Sequence, residues 1–534
     1  MNSPLIKKLL REKNLTHNKI DSWKRFYAGK NLAAFPTTAE LLKGYRGLLK
    51  LKQIKPNKAL EKILKKRAVR TLSGVTIITV LTKPWPCPGQ CVYCPLEKDM
   101  PKSYLKNEPA AQRAYLNNFD PYNQVRTRLK MLYDNGHPID KVELIVKGGS
   151  WNSYPWNYQM WFIKECFRSC NDFPRRTQKQ PAKTTEKNLL KTQKKNETAD
   201  SRIVGLTLET RPDLITKETA EQMRLLGCTR IELGLQHTDD KILKMTKRGH
   251  TLEETKRATQ LLRYYGFKID FHLMPQLPGS TPAKDFKMIK DVFADPDLKP
   301  DMIKIYPCTV VKNSELYSWH KKGLFKPYPD KKLIEMLIKV KSEIIPRYCR
   351  ISRLIRDIPA TEITAGNKVT NLRETIQRLM REQGLTCSCL RCREIGHQQK
   401  TIPSTVPGAR PKNLLKLFID KYSTSGGTEY FLSFEDAKRQ AVYAFCRLRI
   451  DPKGIFPAFI RELHTYGQLV EIGGQKKGAS QHTGLGKQLV AEAEKIAQKK
   501  HAKKLAVISG VGVRGYYKKL GYEPKNTYLV KKLI

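Results

Sequence analysis

The sequence predicts an α/β fold: a partial barrel of parallel β/α units, preceded by a basic helical module and followed by a smaller α/β module. Three observations predict it. Short β-branched runs alternate with amphipathic helical stretches from residue 71 to about 330. The first 70 residues carry nineteen Lys or Arg against four Asp or Glu, and several stretches have helical periodicity. Past residue 415, strands resume around one strong helix at 485–500. At roughly 150 residues per domain, the 534 residues allow two to four domains.

Composition narrows the function. Lys plus Arg is 100 against 50 for Asp plus Glu, a formal charge of +50. Such an excess points to a polyanion partner, nucleic acid before an anionic membrane. Apolar residues at 40% and charged ones at 28% describe a globular chain, and no run of eighteen apolar residues exists to cross a bilayer. The N-terminal MNSPLIKKLLREKNL has no apolar signal core, so a cytoplasmic location is expected. In that compartment clustered thiols are metal ligands rather than disulfides. Two clusters stand out among twelve cysteines, Cys87/Cys91/Cys94 and Cys387/Cys389/Cys392. Cys166, Cys170, Cys228, Cys308, Cys349 and Cys446 are scattered and read as small buried apolar residues.

The elements follow in order. Residues 1–70 form a basic helical module that docks phosphates, or else a solvated basic face without a ligand. Residues 71–330 hold six candidate strands, at 74–82, 141–147, 202–210, 230–236, 267–274 and 301–307. Helical stretches at 110–135, 217–227, 251–265 and 281–294 separate them. Six such units predict a partial barrel whose reactive face is the carboxyl end of its strands. The Lys-rich segment 174–202 has few apolar residues and is expected to be a mobile surface insertion. Residues 331–414 read as a basic helical linker containing the second cysteine cluster. Residues 415–534 supply strands at 428–434, 441–450, 456–467, 504–510 and 526–534.

Cys87-x3-Cys91-x2-Cys94 follows the first strand, within KPWPCPGQCVYCP. Three thiolates at this spacing can hold three irons of a cubane and leave the fourth open. A zinc knuckle competes, but no nearby Cys or His completes four ligands. The motif resembles the signature of radical S-adenosylmethionine (SAM) enzymes, with Tyr93 in the usual aromatic position. That resemblance implies a [4Fe-4S] cluster whose open iron chelates the cofactor's amino and carboxylate groups. It also implies that Gly148 and Gly149, closing the second strand, receive the cofactor's amino group. Glu209 and Arg211, closing the third, either bind polar parts of SAM or pair with each other as a structural ion pair.

Gln481-His482-Thr483-Gly484-Leu485-Gly486-Lys487 leads into the C-terminal helix. A glycine-rich turn there offers backbone N–H groups and a positive dipole end to a pyrophosphate. It resembles the acetyl-coenzyme A loop of GNAT acetyltransferases. Tyr516 and Tyr517, within GVGVRGYYKKLGYEP, fall where that family keeps a tyrosine that protonates the departing thiolate or contacts the cofactor. The competing reading is a pair of packed aromatics.

A radical SAM barrel joined to a GNAT module resembles the catalytic subunit of Elongator, a family that modifies the wobble uridine of tRNA. The blocks IVKGGSW, TLETRPD, GCTRIELGLQ, MPQLPG, RDIPA, RELHTYG, QHTGLG and AVISGVGVRGYYKKLGYE carry the likeness from about residue 65 to 534. The first cysteine spacing is more compact than in eukaryotic relatives, which suits an archaeal or bacterial-like member acting without the other Elongator subunits. The resemblance implies transfer of a two-carbon unit from acetyl-coenzyme A to carbon 5 of the uridine, leaving a carboxymethyl group. It places acetyl-coenzyme A on Glu462, Leu463, His464, Thr465, Gly484, Leu485, Gly486, Lys487 and Tyr517, with Lys141 reaching it from the barrel. Tyr517, Tyr516 and Lys141 are the implied catalytic set. Protein lysine acetylation beside a structural iron–sulfur domain is the alternative function.

Cys387, Cys389 and Cys392 fit a structural zinc site with a fourth ligand from elsewhere, His397 being the nearest candidate; three unligated thiols are the alternative. Zinc there would set the orientation of barrel and transferase. The N-terminal module, barrel mouth and linker together form the expected tRNA footprint. Tyr317 and Trp319, after the last barrel strand, either stack on bases or simply pack.

Overall fold

The structure is a computed structural model that describes residues 3–12, 14–30, 35–66, 71, 73–175, 183–398, 415–466 and 484–533. Four helices, Ser3–Arg11, His17–Lys30, Thr38–Lys50 and Lys58–Leu64, make up the N-terminal module. Leu5, Ile6, Leu9, Leu41, Leu42 and Leu60 pack into its own small core. Thr37 and Glu40 close a reciprocal capping box at the start of the third helix. Arg46 ties the module to the next domain: its guanidinium lies 3.9 Å from the Tyr133 ring centre and donates to the Tyr133 carbonyl at 2.6 Å.

The barrel strands are β1 (Thr76–Leu81), β2 (Lys141–Lys147), β3 (Arg202–Thr210), β4 (Arg230–Gln236), β5 (Lys268–Leu273) and β6 (Met302–Ile305). After them β7 (Val310–Val311) leaves the sheet to pair with β9 (Ile363–Ala365), while β8 (Arg350–Arg353) rejoins it beside β6. The sheet order is β1-β2-β3-β4-β5-β6-β8, parallel throughout. It therefore has seven strands where six were expected. The seventh, RISR, is short and charged, lacking the apolar run that announces a strand, and it falls inside the expected linker. Alternation along β2 sorts its two faces: Val142, Leu144 and Val146 are buried in the outer core, whereas Lys141, Glu143, Ile145 and Lys147 are half-buried toward the lumen.

Two helical expectations need correction. The stretch 110–135 is two helices, Pro109–Leu116 and Pro121–Asp134, because Asn118 and Phe119 take positive φ and Asp120 caps a fresh start. The supposed mobile insertion holds a packed helix, Glu186–Asn196. Leu189 is fully buried there, Gln193 donates to the Leu225 carbonyl and Asn196 bonds Ile203 at the head of β3, so one apolar residue and two amides anchor a segment too polar to predict.

The C-terminal sheet adds β10 (Leu415–Thr424), β11 (Gly427–Asp436), β12 (Val442–Ile450), β13 (Ala458–Thr465), β14 (Lys504–Val507), β15 (Glu523–Lys525) and β16 (Tyr528–Lys532). Its order is β10-β11-β12-β13-β14-β16-β15, antiparallel except for β13 and β14. Those two pair only at Phe459–Ala506 and Ile460–Val507. β13 then continues to Thr465 paired with β12 but without β14, so a cleft opens between β13 and β14.

This sheet docks on the amino ends of the barrel strands. Arg461 Nη2 lies 2.5 Å and its Nη1 2.8 Å from the carboxylate of Asp301, which precedes β6. Arg447 donates to the Tyr348 carbonyl at 2.8 Å, and Lys268 of β5 pairs with Glu462 at 3.2 Å. At Gly510 a Cβ would stand 2.0 Å from the Val204 carbonyl oxygen, so only glycine permits this contact. Phe459 and Tyr528 share one core with Phe267 and Tyr265 of the barrel. No helix among the described residues is long and apolar enough to cross a membrane.

Candidate functional site

Two cavities occupy opposite ends of the barrel. The first, of 710 Å³, lies at the carboxyl ends of the strands and is lined by all three cysteines of the first cluster. They sit on the loop after β1. Cys91 is buried, and Arg248 Nη1 lies 3.4 Å from its sulfur. The hydrogen bond from Cys94, joined by the Arg248 cation, holds the Cys91 thiol well below its ordinary pKa; the same bond, with burial, raises Cys94. Among the described residues, only Cys387, Cys389 and Cys392 gather three metal-ligand atoms within 4.8 Å of one another. The wider spread of Cys87, Cys91 and Cys94 suits separate corners of a cubane better than a lone zinc ion.

The glycines after β2 answer to geometry. Gly148 has φ +123°, and a Cβ there would lie 2.1 Å from Thr82 Oγ1; Gly149, at φ +99°, faces open space in the cavity. Glu209 and Arg211 do not pair with each other. Glu209 accepts from Lys147 at 2.9 Å and Tyr104 at 3.1 Å, while Arg211 clamps Asp213 at 3.0 and 3.1 Å. Arg211 Nη1, Thr210 Oγ1 and Gln236 Oε1 are buried at this cavity without a hydrogen-bond partner. Orphaned donors and acceptors beside a bare glycine backbone fit a zwitterionic, polar cofactor. Gly89 matters too, because a Cβ would lie 2.3 Å from Arg211 Nη1.

Between the two ends lies an ion cluster that sequence reasoning missed. Lys147 Nζ is 2.9 Å from Glu209 and 3.1 Å from Glu232; Glu232 also meets Lys304 and, at 3.0 Å, His272 Nε2. Burial opposes the Lys147 charge, but Glu209 and Glu232 outweigh it and hold the ammonium well above its usual pKa. Burial likewise opposes ionisation of Glu232, and Lys147 and Lys304 reverse it. The overlooked signal was charge at alternate positions of successive strands.

The second cavity, of 1020 Å³, lies in the cleft beside β13. Glu462, Leu463, His464 and Thr465 line it from β13, and Gly484, Leu485, Gly486 and Lys487 from the helix start. Gly484 takes φ +88° as the helix cap. Gln481, His482 and Thr483 lie outside the described residues. Tyr516 and Tyr517 also line it; Tyr517 is buried, which pushes its phenol well above the ordinary range and keeps the proton on. Burial pushes Tyr516 up to about 12. Lys141 enters from the barrel side at the head of β2, its charge partly disfavoured by burial. Glu462 is held ionised: burial opposes this, but Lys268 and Arg447 prevail. His464 Nε2 lies 2.7 Å from the Ser73 carbonyl, which requires the proton on Nε2.

In the second cysteine cluster Lys341 Nζ approaches Cys387 at 3.2 Å and Cys392 at 3.6 Å. His397 does not join the thiols; its Nε2 faces Glu394 at 3.2 Å. Arg393, within the same loop, pairs with Glu435 of β11 at 2.7 Å and so links the loop to the C-terminal sheet. Tyr317 and Trp319 pack partly buried against the group containing Cys91 and Tyr93. All six scattered cysteines are buried, as expected.

The family models described as Radical SAM superfamily and Radical_SAM C-terminal domain match residues 87–292 and 300–382. The chain is 44% identical over 504 residues to a tRNA uridine(34) acetyltransferase of Methanocaldococcus infernus, covering 91% of each chain. It is 42% identical to a protein of that name from Dehalococcoides mccartyi, covering 88% of this chain and 100% of that one. Elongator complex protein 3 of Homo sapiens is 34% identical, with 88% of this chain and 86% of that one covered. A solved structure of the archaeal Methanocaldococcus infernus Elp3, lacking its N-terminus, superposes with TM-score 0.74 at 41% identity, covering 87% of this chain and 100% of that one. With its cluster loop, glycine-lined cavity and docked second sheet, the chain belongs to the radical SAM family of tRNA uridine(34) acetyltransferases and Elongator complex protein 3.

Proposed function

We propose that this protein installs a carboxymethyl group at carbon 5 of the wobble uridine of tRNA, drawing the two carbons from acetyl-coenzyme A. One observation carries the reading. The transferase cavity is walled on its acceptor side by Lys141, Glu143, Arg230 and Lys268 of the barrel, so a bound acyl group faces the barrel. Cys87, Cys91 and Cys94 would hold a [4Fe-4S] cluster, which would supply the single electron that cleaves SAM to the 5′-deoxyadenosyl radical. Gly148 and Gly149 let backbone approach SAM, while Thr210, Arg211 and Gln236 offer it hydrogen bonds. The hydrogen abstracted comes from the acetyl methyl group, and the carbon left behind bonds to C5 of the base. Restoring the ring would remove the C5 proton and one electron, the electron returning to the cluster from which SAM cleavage drew it, and water would then cleave the thioester. Tyr517, kept protonated by burial, contacts the coenzyme where it enters the cleft. Lys141 and Lys487 bind phosphates of the coenzyme.

Arg113, Arg128, Arg353 and Arg356 line the cluster cavity and, with the N-terminal module, form a basic rim for the anticodon arm. Zinc on Cys387, Cys389 and Cys392 steadies the linker against β11. Acetylation of protein lysines is disfavoured, because Glu462 is committed to Arg447 and Lys268 and the barrel covers the acceptor side. Release of free coenzyme A, with and without tRNA bearing a wobble uridine, tests the proposal. Stimulation by that tRNA is expected, and it should be lost when the uridine is replaced and in Tyr517→Phe and Lys141→Ala. Release unaffected by tRNA, with activity on lysine peptides, would sink it.

A further inference from the structure

A packed barrel fills its interior with branched apolar side chains. This one does not. The inward positions include Thr79 on β1, Gly205 and Thr207 on β3, Glu232 on β4, Asp270 on β5 and Lys304 on β6, all lining the transferase cavity. Ile77, also inward, remains 42% exposed. At Gly205 a Cβ would meet nothing closer than Glu143 Cγ at 3.7 Å, so the lumen is roomy there. Most tellingly, the two cavities share Ser73, Ile77, Thr79, Lys147, Arg350 and Arg353 in their walls. The coenzyme end and the cluster end therefore adjoin across these shared walls.

The walls of the lumen carry unmet hydrogen bonds. Glu232 Oε1 and Asp270 Oδ1 are buried acceptors without donors, and Arg230 Nε is a buried donor without an acceptor. All three residues line the cavity and are at most 7% exposed. An amide presents both a donor N–H and an acceptor carbonyl, and the pantetheine arm of coenzyme A carries two amides on a slender apolar chain. A seven-residue strand spans roughly 20 Å, a length the extended arm matches.

We infer that the barrel lumen is the binding channel for the pantetheine arm. The nucleotide end stays on the transferase, and the arm threads inward past Arg230, Asp270 and Glu232. Its acyl end emerges near Thr79 and Lys147, at the floor of the cluster cavity. The inference rests on the tRNA-modifying reading above and adds a route to it: acyl group and nucleobase reach SAM from opposite ends of the barrel.

The test is independent of radical chemistry. Cysteine is introduced by Thr79→Cys in the lumen or by Lys416→Cys on the exposed edge of β10. Each full-length variant is treated with bromoacetyl-coenzyme A or iodoacetamide, and the alkylated peptides are identified by mass spectrometry. The expected result is alkylation at position 79 by the coenzyme reagent, abolished by excess acetyl-coenzyme A, and competition-insensitive labelling at position 416. Adding Gly205→Ile, which fills the lumen, should abolish coenzyme labelling at position 79. Iodoacetamide labelling of position 79 without coenzyme labelling overturns the channel, as does failure of both reagents there. The parent reading is decided separately, by tRNA-dependent deuterium transfer from trideuteroacetyl-coenzyme A into 5′-deoxyadenosine in the unaltered chain.

Discussion

Asp301 is the residue whose loss should do most damage to the joint between barrel and transferase. It is 1% exposed and faces Arg461, with Arg447 Nη1 3.6 Å away. Its Oδ2 also accepts the Ile269 N–H at 2.9 Å. Burial opposes the Asp301 charge, but Arg461 and Arg447 overcome it and depress the carboxyl pKa. Asp301→Ala leaves two buried guanidinium groups sharing only Glu429 and Glu462 and orphans one backbone donor. Breaking a buried pair costs about 3–5 kcal/mol and the lost hydrogen bond about 1 more, so docking should weaken by about 4–6 kcal/mol. Hydrogen exchange across β5 and β13, followed by mass spectrometry, reads the opening of this joint directly. Protection should collapse there while the N-terminal helices keep theirs. The double replacement Asp301→Leu with Arg461→Met should recover much of the loss, because removing both charges spares their desolvation. A loss below about 1 kcal/mol, the worth of an exposed ion pair, would refute the reasoning.

Gly148→Ala should lower stability by about 1–3 kcal/mol through its positive φ and its clash with Thr82, and should abolish SAM binding by calorimetry. Purified protein should contain zinc by elemental analysis, and Cys389→Ser should lose it together with protease resistance around residues 385–398. His250 gives a pH signature: burial and then Arg248 lower its pKa to about 4, against about 6.5 unfolded. The unfolded chain thus binds the proton first, so stability present above pH 6.5 declines as pH falls toward 4, by at most about 3 kcal/mol. Urea titrations of the protein and of His250→Gln over that range should diverge, with the variant the flatter.

Much of the chemistry was legible in the chain because it is local. Three cysteines within eight positions, two adjacent glycines after a strand and a glycine turn before a helix each place their groups through a few covalent bonds. The bounds of β2, β3 and β4 were read correctly because β-branched runs with alternating polarity have one good local solution. β8 and the helix Glu186–Asn196 escaped because their stability comes from what they pack against: RISR gains a ladder from β6, and Glu186–Asn196 is held by Leu189, Gln193 and Asn196.

The sequence by itself determined which residue types stand on each face of each strand. In KVELIVK the alternation separates Lys141, Glu143 and Lys147 from Val142, Leu144 and Val146, whatever the surroundings. Only the tertiary structure decided that the charged face looks into a lumen rather than outward to solvent. It also decided that Lys147, Glu232, Lys304 and His272, drawn from four strands, converge on one point, and that the transferase caps the end opposite the cluster. Side-chain alternation is set by bonds within one strand. Curvature of the sheet, and the choice of which end is capped, arise from contacts between residues far apart in the chain, such as Arg461 and Asp301, which no local pattern encodes.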